Sequence, residues 1–216
     1  MRFNSIIFDL DGTLIDSLAD IADSMNRVLK KHGLPEHDMQ TYRYFIGYGV
    51  PVLVQKAVPL HLSEEGIIES YAWEFRETYG KNYNVMTKLY DGIPAMLDKL
   101  SDRKIRMSIF SNKPDNFTKK CVREFLQPWK FECVIGHGSG IPPKPDPTGV
   151  LKILKEMEQK PADTIYLGDS GIDMITAVSA GMFPIGALWG FRDRDELREN
   201  GARELVKDPR AILAFF

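Results

Sequence analysis

Phe8-Asp9-Leu10-Asp11-Gly12-Thr13-Leu14-Ile15-Asp16-Ser17 follows directly on the apolar run Ser5–Phe8 and decides how the rest of the chain is read. The run is apolar and β-branched enough to be a buried strand, and Gly12 marks where the chain turns away from it. Asp9 and Asp11 then stand at the strand's carboxyl end. Residues two apart in extended chain point the same way, so both carboxylates face one space, where their repulsion is costly unless a cation or a proton is shared. A calcium-binding loop does not fit. Counted from Asp9, Thr13 stands where a third oxygen-rich ligand is usual and Leu14 where the sharp turn needs Gly, and a strand rather than a helix comes before.

The 216 residues suffice for one large core, or one core and a smaller appended domain. A formal net charge of −2 gives no electrostatic case for nucleic acid or an anionic membrane as partner, while a small anionic ligand stays open. No apolar run approaches the ~18 residues of a membrane span, and the amino terminus enters a strand pattern at once, so a cytoplasmic protein is expected. Cys121 and Cys133 lack metal or redox spacing and read as buried structural thiols. The four histidines, His32, His37, His61 and His137, are scattered singly and read as surface or loop residues.

Leu18, Ile21, Met25, Val28 and Leu29 recur at helical spacing, with Gly33 and Pro35 as a stop. Helical patterns continue over residues 38–44, 50–58 and 63–79 with no convincing strand between them, which together read as a small bundle. Beyond Tyr90-Asp91-Gly92 the pattern alternates: helix at 94–100, strand at 105–110, helix at 114–126, strand at 131–135. Helix at 148–157, strand at 164–167, helix at 172–180, strand at 183–188 and short terminal elements, one opened by Pro209, complete the chain. Alternation of this kind predicts an α/β fold, a Rossmann-like parallel sheet covered on both faces. The helical block is an insertion after the first strand, so the expected division is a core of residues 1–15 and 89–216 and an all-α cap domain of residues 16–88.

Three more segments fall at predicted strand ends, where open parallel sheets bind ligands. Ser111-Asn112-Lys113 offers a hydroxyl, an amide and backbone N–H groups, and reads either as a helix cap or as an anion site. The run from Gly136 to Pro147, glycine-rich and then proline-rich, holds Lys144 on restricted backbone, which suits a cation that must neutralise a phosphate. Gly168-Asp169-Ser170-Gly171-Ile172-Asp173 places two carboxylates four apart at a strand end and a helix start. Both could reach one cation, or Asp173 is simply a favourable charge at a helix amino end.

These four segments together resemble the haloacid dehalogenase superfamily of aspartyl-phosphate hydrolases, in the group with a helical cap after the first motif. Asp9-Leu10-Asp11-Gly12-Thr13-Leu14 is similar to its first motif, Ser111-Asn112-Lys113 to the second, Lys144-Pro145 to the third, and Gly168-Asp169-Ser170 with Asp173 to the fourth. Gly47-Tyr48-Gly49, Leu89-Tyr90-Asp91-Gly92 and Trp189-Gly190-Phe191-Arg192 resemble phosphoglycolate phosphatase-like members more narrowly.

The resemblance implies a magnesium-dependent phosphatase acting on a small phosphomonoester, with pyrophosphatase, sugar-phosphate or nucleotide phosphatase and phosphomutase as alternatives within the superfamily. A phospho-accepting signalling module is the non-enzymatic alternative, disfavoured by the cap and by an acceptor Asp on the first strand. Asp9 is implied as nucleophile and Asp11 as proton carrier, with Ser111, Asn112 and Lys144 on the phosphoryl oxygens. Mg2+ is implied on Asp9, Asp169, a carbonyl at Asp11, and Asp173 either through water or by orienting a ligand. In the cap, Gly47, Tyr48, Gly49, Lys56 and Arg43 are candidates for contact with the leaving group, although the two cations read more simply as a solvated helix face. The expected partner is a small phosphorylated metabolite, without nucleic acid or membrane, in a monomer or homodimer.

Overall fold

The computed structural model describes residues 3–138 and 140–216, so Ser139 of the glycine-rich loop lies outside the described residues. In chain order come β1 (Ser5–Phe8), β2 (Ile15–Asp16), the helices α1 (Leu18–Lys31), α2 (Met39–Phe45), α3 (Val50–Ala57) and α4 (Glu65–Asn82), then β3 (Lys88–Leu89). α5 (Ile93–Asp102), β4 (Arg106–Pro114), α6 (Asp115–Phe125), β5 (Val134–His137), α7 (Thr148–Glu156), β6 (Thr164–Gly168), α8 (Gly171–Ser179), β7 (Phe183–Ala187), α9 (Arg194–Glu199) and β8 (Glu204–Val206) follow.

Six strands form one parallel sheet in the order β5-β4-β1-β6-β7-β8. β1 is central, and its pattern shows why: Ile6 and Phe8 enter one apolar cluster and Ile7 the other, all fully buried. Such a strand needs cover on both faces, which α5 and α6 give on one side and α7 and α8 on the other. Each of these side chains contributes about 1.5–3 kcal/mol by leaving water. The chain passes from β1 to β4 on one side and later to β6 on the other, so the strand order reverses at the carboxyl end of β1.

The helical block stands between β2 and β3, which pair antiparallel as a two-residue ribbon, Ile15 with Leu89 and Asp16 with Lys88. The expected domain boundaries fall inside this ribbon. Buried Asp20 secures the return of the chain, accepting from Met86 N, Thr87 N and Thr87 Oγ1 at 2.7–3.0 Å. His37 is half-buried: it bonds Ala57 O at 2.8 Å and meets Tyr42 and Phe45 edge-on, so it is an internal tie of the block rather than a surface residue. Cys121 is buried as expected, whereas Cys133 is only partly so.

Three strand readings shift. β4 runs to Pro114, past the expected end at Phe110, with an irregular register between those two residues. β5 begins at Val134 rather than 131, because Phe131 packs on the core outside the ladder. β8, only Glu-Leu-Val, is too short to carry a strand periodicity in the sequence, and the terminal helix is a 3-10 helix, Pro209–Phe215.

Candidate active site

At the carboxyl ends of β4, β1 and β6 a cavity of about 60 Å3 lies between the sheet and the helical block. Its floor is polar, with Asp9, Asp11, Ser111, Asn112, Lys113 and Lys144 among the residues facing it. Its roof is apolar, made by Ile21, Ile46, Val50, Leu53 and Phe75 of the inserted block.

Asp9 leaves the end of β1 with its backbone N–H on Leu167 O of β6. Lys144 Nζ stands 2.8 Å from Asp9 Oδ1 and 2.6 Å from Asp173 Oδ1, all three side chains buried. Asp173 is held by four donors: Lys144 and the Tyr166 hydroxyl at 3.3 Å on Oδ1, Ser170 N and Oγ at 3.0 and 2.6 Å on Oδ2. That last pair belongs to a reciprocal cap on α8, so Asp173 is at once a helix-end carboxylate and the partner of Lys144. Asp169 accepts from Thr13 Oγ1 at 3.1 Å and from Phe191 N at 2.7 Å. Its space is made by two glycines: a Cβ on Gly12 or on Gly190 would come within 2.2 Å of an Asp169 side-chain atom.

Asp9, Asp169 and Asp173 each bring an oxygen within 4.8 Å of the others. Burial, the mutual repulsion with Asp173, and the insufficiency of one lysine push the Asp9 carboxyl up to about 7. Asp169 is raised by the same burial and by Asp173 and Asp9. Lys144 holds its proton more tightly than usual, since the two carboxylates outweigh the burial that would expel it. Asp9 Oδ1 is buried and, despite its nearness to Lys144, lacks a well-directed hydrogen bond. An uncompensated buried carboxylate with hard oxygen neighbours is what a divalent cation requires, so these residues could hold one. Asp173, already saturated with donors, fits an orienting part better than direct coordination.

Asp11 stands apart from that cluster, bound by Lys113 and by Ser17 Oγ at 2.6 Å. Ser111 is buried and lines the cavity. The Asn112 side chain is a tie: it donates to Gly47 O at 2.9 Å and Lys144 O at 3.0 Å and accepts from Lys144 N at 2.8 Å. Of the five cap candidates, Gly47 and Gly49 reach the cavity and Tyr48, Lys56 and Arg43 do not. Lys56 is exposed and bonds Tyr44 O at 2.8 Å. Arg43 donates to the carbonyls of Gly190 and Phe191 in the core, while Arg192 donates back to those of Arg43 and Ile46. Each arginine thus crosses the boundary between block and core and is consumed there.

Sequence reasoning gave no role to Lys113, Thr13, Ser17, Tyr79 or Arg192. For Lys113 a signal existed. Ser111 and Lys113 are two apart and share a face, by the argument used for Asp9 and Asp11, but only if β4 is read past Phe110.

A family model described as haloacid dehalogenase-like hydrolase matches residues 6–187. The chain is 35% identical over 186 residues to a phosphoglycolate phosphatase of Aquifex aeolicus, covering 86% of this chain and 85% of that protein. It is 28% identical over 211 residues to the phosphoglycolate phosphatase of Pseudomonas savastanoi, covering 96% and 78%. A crystal structure described as a predicted phosphoglycolate phosphatase from Haemophilus somnus superposes with a TM-score of 0.91 at 27% identity, covering 99% of this chain and 98% of that one. The chain therefore belongs to the haloacid dehalogenase-like hydrolases and is a phosphoglycolate phosphatase-like enzyme.

Proposed function

We propose that the protein is a magnesium-dependent phosphatase that hydrolyses a small phosphomonoester of the 2-phosphoglycolate type through an aspartyl phosphate on Asp9. The observation that carries this reading is Asp9 itself, at the end of the central strand, facing one cavity with Ser111, Lys144 and Asp11. A phosphomonoester dianion repels a carboxylate, so its charge must be taken up before the nucleophile can approach. Asp9 and Asp169, with the Asp11 carbonyl, would hold Mg2+, which when bound offsets phosphoryl charge next to the nucleophile.

Asp9 then forms the O–P bond as the bond to the leaving group breaks, and Asp11 gives its proton to the departing oxygen. In the second half, water forms the new O–P bond, the Asp9 O–P bond breaks, and the water proton returns to Asp11. Ser111 Oγ, Asn112 N–H and Lys144 hold the phosphoryl oxygens, and Asp173 holds Lys144 in place. The cavity's size supports a compact substrate, since a water needs about 10–15 Å3 by the same measure. The apolar roof supports exclusion of bulk water from the intermediate.

The test is magnesium-dependent phosphate release from 2-phosphoglycolate, sugar phosphates, nucleotides and pyrophosphate. The expected outcome is the highest kcat/KM on 2-phosphoglycolate. Preference for pyrophosphate or for a nucleotide would move the assignment to another branch, and no release from any would overturn it.

A further inference from the structure

Lys113 is buried in the cavity wall and has no part in the reaction as set out above. An ammonium has three N–H donors, and all three are used. Two go to Asp11, 2.9 Å to Oδ1 and 3.0 Å to Oδ2, and the third to the Tyr79 hydroxyl at 2.7 Å. Lys113 comes from β4, Asp11 from the turn after β1, and Tyr79 from α4 of the inserted block. One ammonium therefore joins the block to the proton carrier.

Tyr79 is itself fixed. It is 1% exposed and stacked at 5.5 Å on Phe75 of its own helix, so its hydroxyl moves with the block, and its edge-on contact with Phe117 of α6 at 5.2 Å forms only when the block is seated on the core. The two oxygens of Asp11 differ. Oδ1 accepts from both Ser17 and Lys113, whereas Oδ2 accepts from Lys113 alone among the described residues. With about two acceptor positions per oxygen, Oδ2 keeps one for a proton.

We propose that Lys113 is the positioning residue for Asp11, aiming Oδ2 at the leaving-group oxygen, and that Tyr79 makes this aim depend on the helical block being seated over the cavity. The inference rests on the phosphatase reading above. In the step concerned, the Asp9 O–P bond forms, the bond from phosphorus to the leaving oxygen breaks, and the proton on Asp11 Oδ2 passes to that oxygen. With the block displaced, Lys113 loses its third partner and Asp11 its fixed direction, so proton delivery is confined to the closed, water-poor state.

The test compares kcat/KM for p-nitrophenyl phosphate and for an alkyl phosphate, 2-phosphoglycolate or the best alkyl ester from the screen above, each with Mg2+. This quantity reports only steps up to leaving-group loss, and p-nitrophenolate departs without a proton whereas an alkoxide does not. Lys113→Met should lower the alkyl value by about tenfold more than the aryl value, with Lys113→Arg recovering part of the difference. Tyr79→Phe, which removes one oxygen, should shift the ratio the same way by about threefold. Parallel losses on both substrates, or an unchanged ratio in Tyr79→Phe, would overturn the proposal. If Lys113→Met does not fold by circular dichroism, the Tyr79→Phe ratio decides alone. A wild-type protein inactive on every ester would overturn the phosphatase reading and this inference with it; an active wild type with unchanged ratios would overturn this inference only.

Discussion

Lys144 Nζ donates to Asp173 Oδ1 at 2.6 Å, and neither side chain is more than 1% exposed. The bond joins the proline-rich loop before α7 to the first turn of α8, and it sets where the ammonium points at Asp9. Removing one member of a buried pair leaves the other uncompensated, at a cost of about 3–5 kcal/mol. Lys144→Ala should therefore lose about that much stability in urea, and kcat should fall roughly a hundredfold to a thousandfold. Added Mg2+ should restore more stability to this variant than to the wild type, because a second cation then faces the same carboxylates. Equal stabilisation of both proteins would show that Lys144 and the metal do not share a field.

Gly190→Ala tests the cradle around Asp169. An added Cβ would stand 2.2 Å from Asp169 Cβ and 2.5 Å from Gly12 O, and the latter is backbone that cannot swing away. Overpacking of this kind costs about 1–3 kcal/mol. The expected signature is a fall in apparent Mg2+ affinity larger than the loss of stability alone explains, measured by titrating activity with the metal. Wild-type metal dependence would mean that Asp169 is not a ligand.

The raised carboxyls give a signed pH dependence. Asp9 is shifted, chiefly by burial, from 3.8 to about 7, so between those values the native state binds more protons than the unfolded chain. Stability of the metal-free protein is favoured at low pH and is lost as pH rises through about 7. Asp169 acts in the same direction. A cation needs both groups ionised, so its binding releases protons and strengthens with pH. The rise in Tm on adding Mg2+ should be larger at about pH 8 than at about pH 5. Equal rises, with no proton release by calorimetry in buffers of different ionisation enthalpy, would contradict the shift.

Arg43 and Lys56 separate two accounts of the cap. Arg43 is committed to the carbonyls of Gly190 and Phe191, next to the Phe191 N–H that holds Asp169. Arg43→Ala should thus lower kcat/KM on 2-phosphoglycolate and on p-nitrophenyl phosphate in parallel, by loosening the block. Lys56→Ala should leave both within about twofold, as a surface change does. A selective loss on 2-phosphoglycolate in either variant would restore that residue as a reader of the substrate carboxylate.

The first strand, the alternating units and the four motif segments were legible because each combines a buried apolar run with a turn signal. Asp9 and Asp169 stand at predicted strand ends and Lys144 in a proline-restricted loop, while their roles are implied only by the resemblance of the four segments together. The β2–β3 ribbon was not legible, since two residues per strand carry no periodicity. Nor were the partners of Arg43, Arg192 and Lys113: a cation's sequence position does not say which carbonyl or carboxylate the fold brings to it from 148, 146 or 102 residues away.

Rapid quench with a phosphate-labelled substrate and Mg2+ tests the central claim most directly. The wild type should give a short-lived phosphoprotein, cleaved by hydroxylamine as an acyl phosphate and mapping to the peptide that contains Asp9. Asp11→Asn should accumulate that species with p-nitrophenyl phosphate, because the water of the second step loses its base. Asp9→Asn should form none and turn over nothing while keeping the native circular dichroism. Label on another residue, or steady turnover by Asp9→Asn near the wild-type rate, would contradict the account.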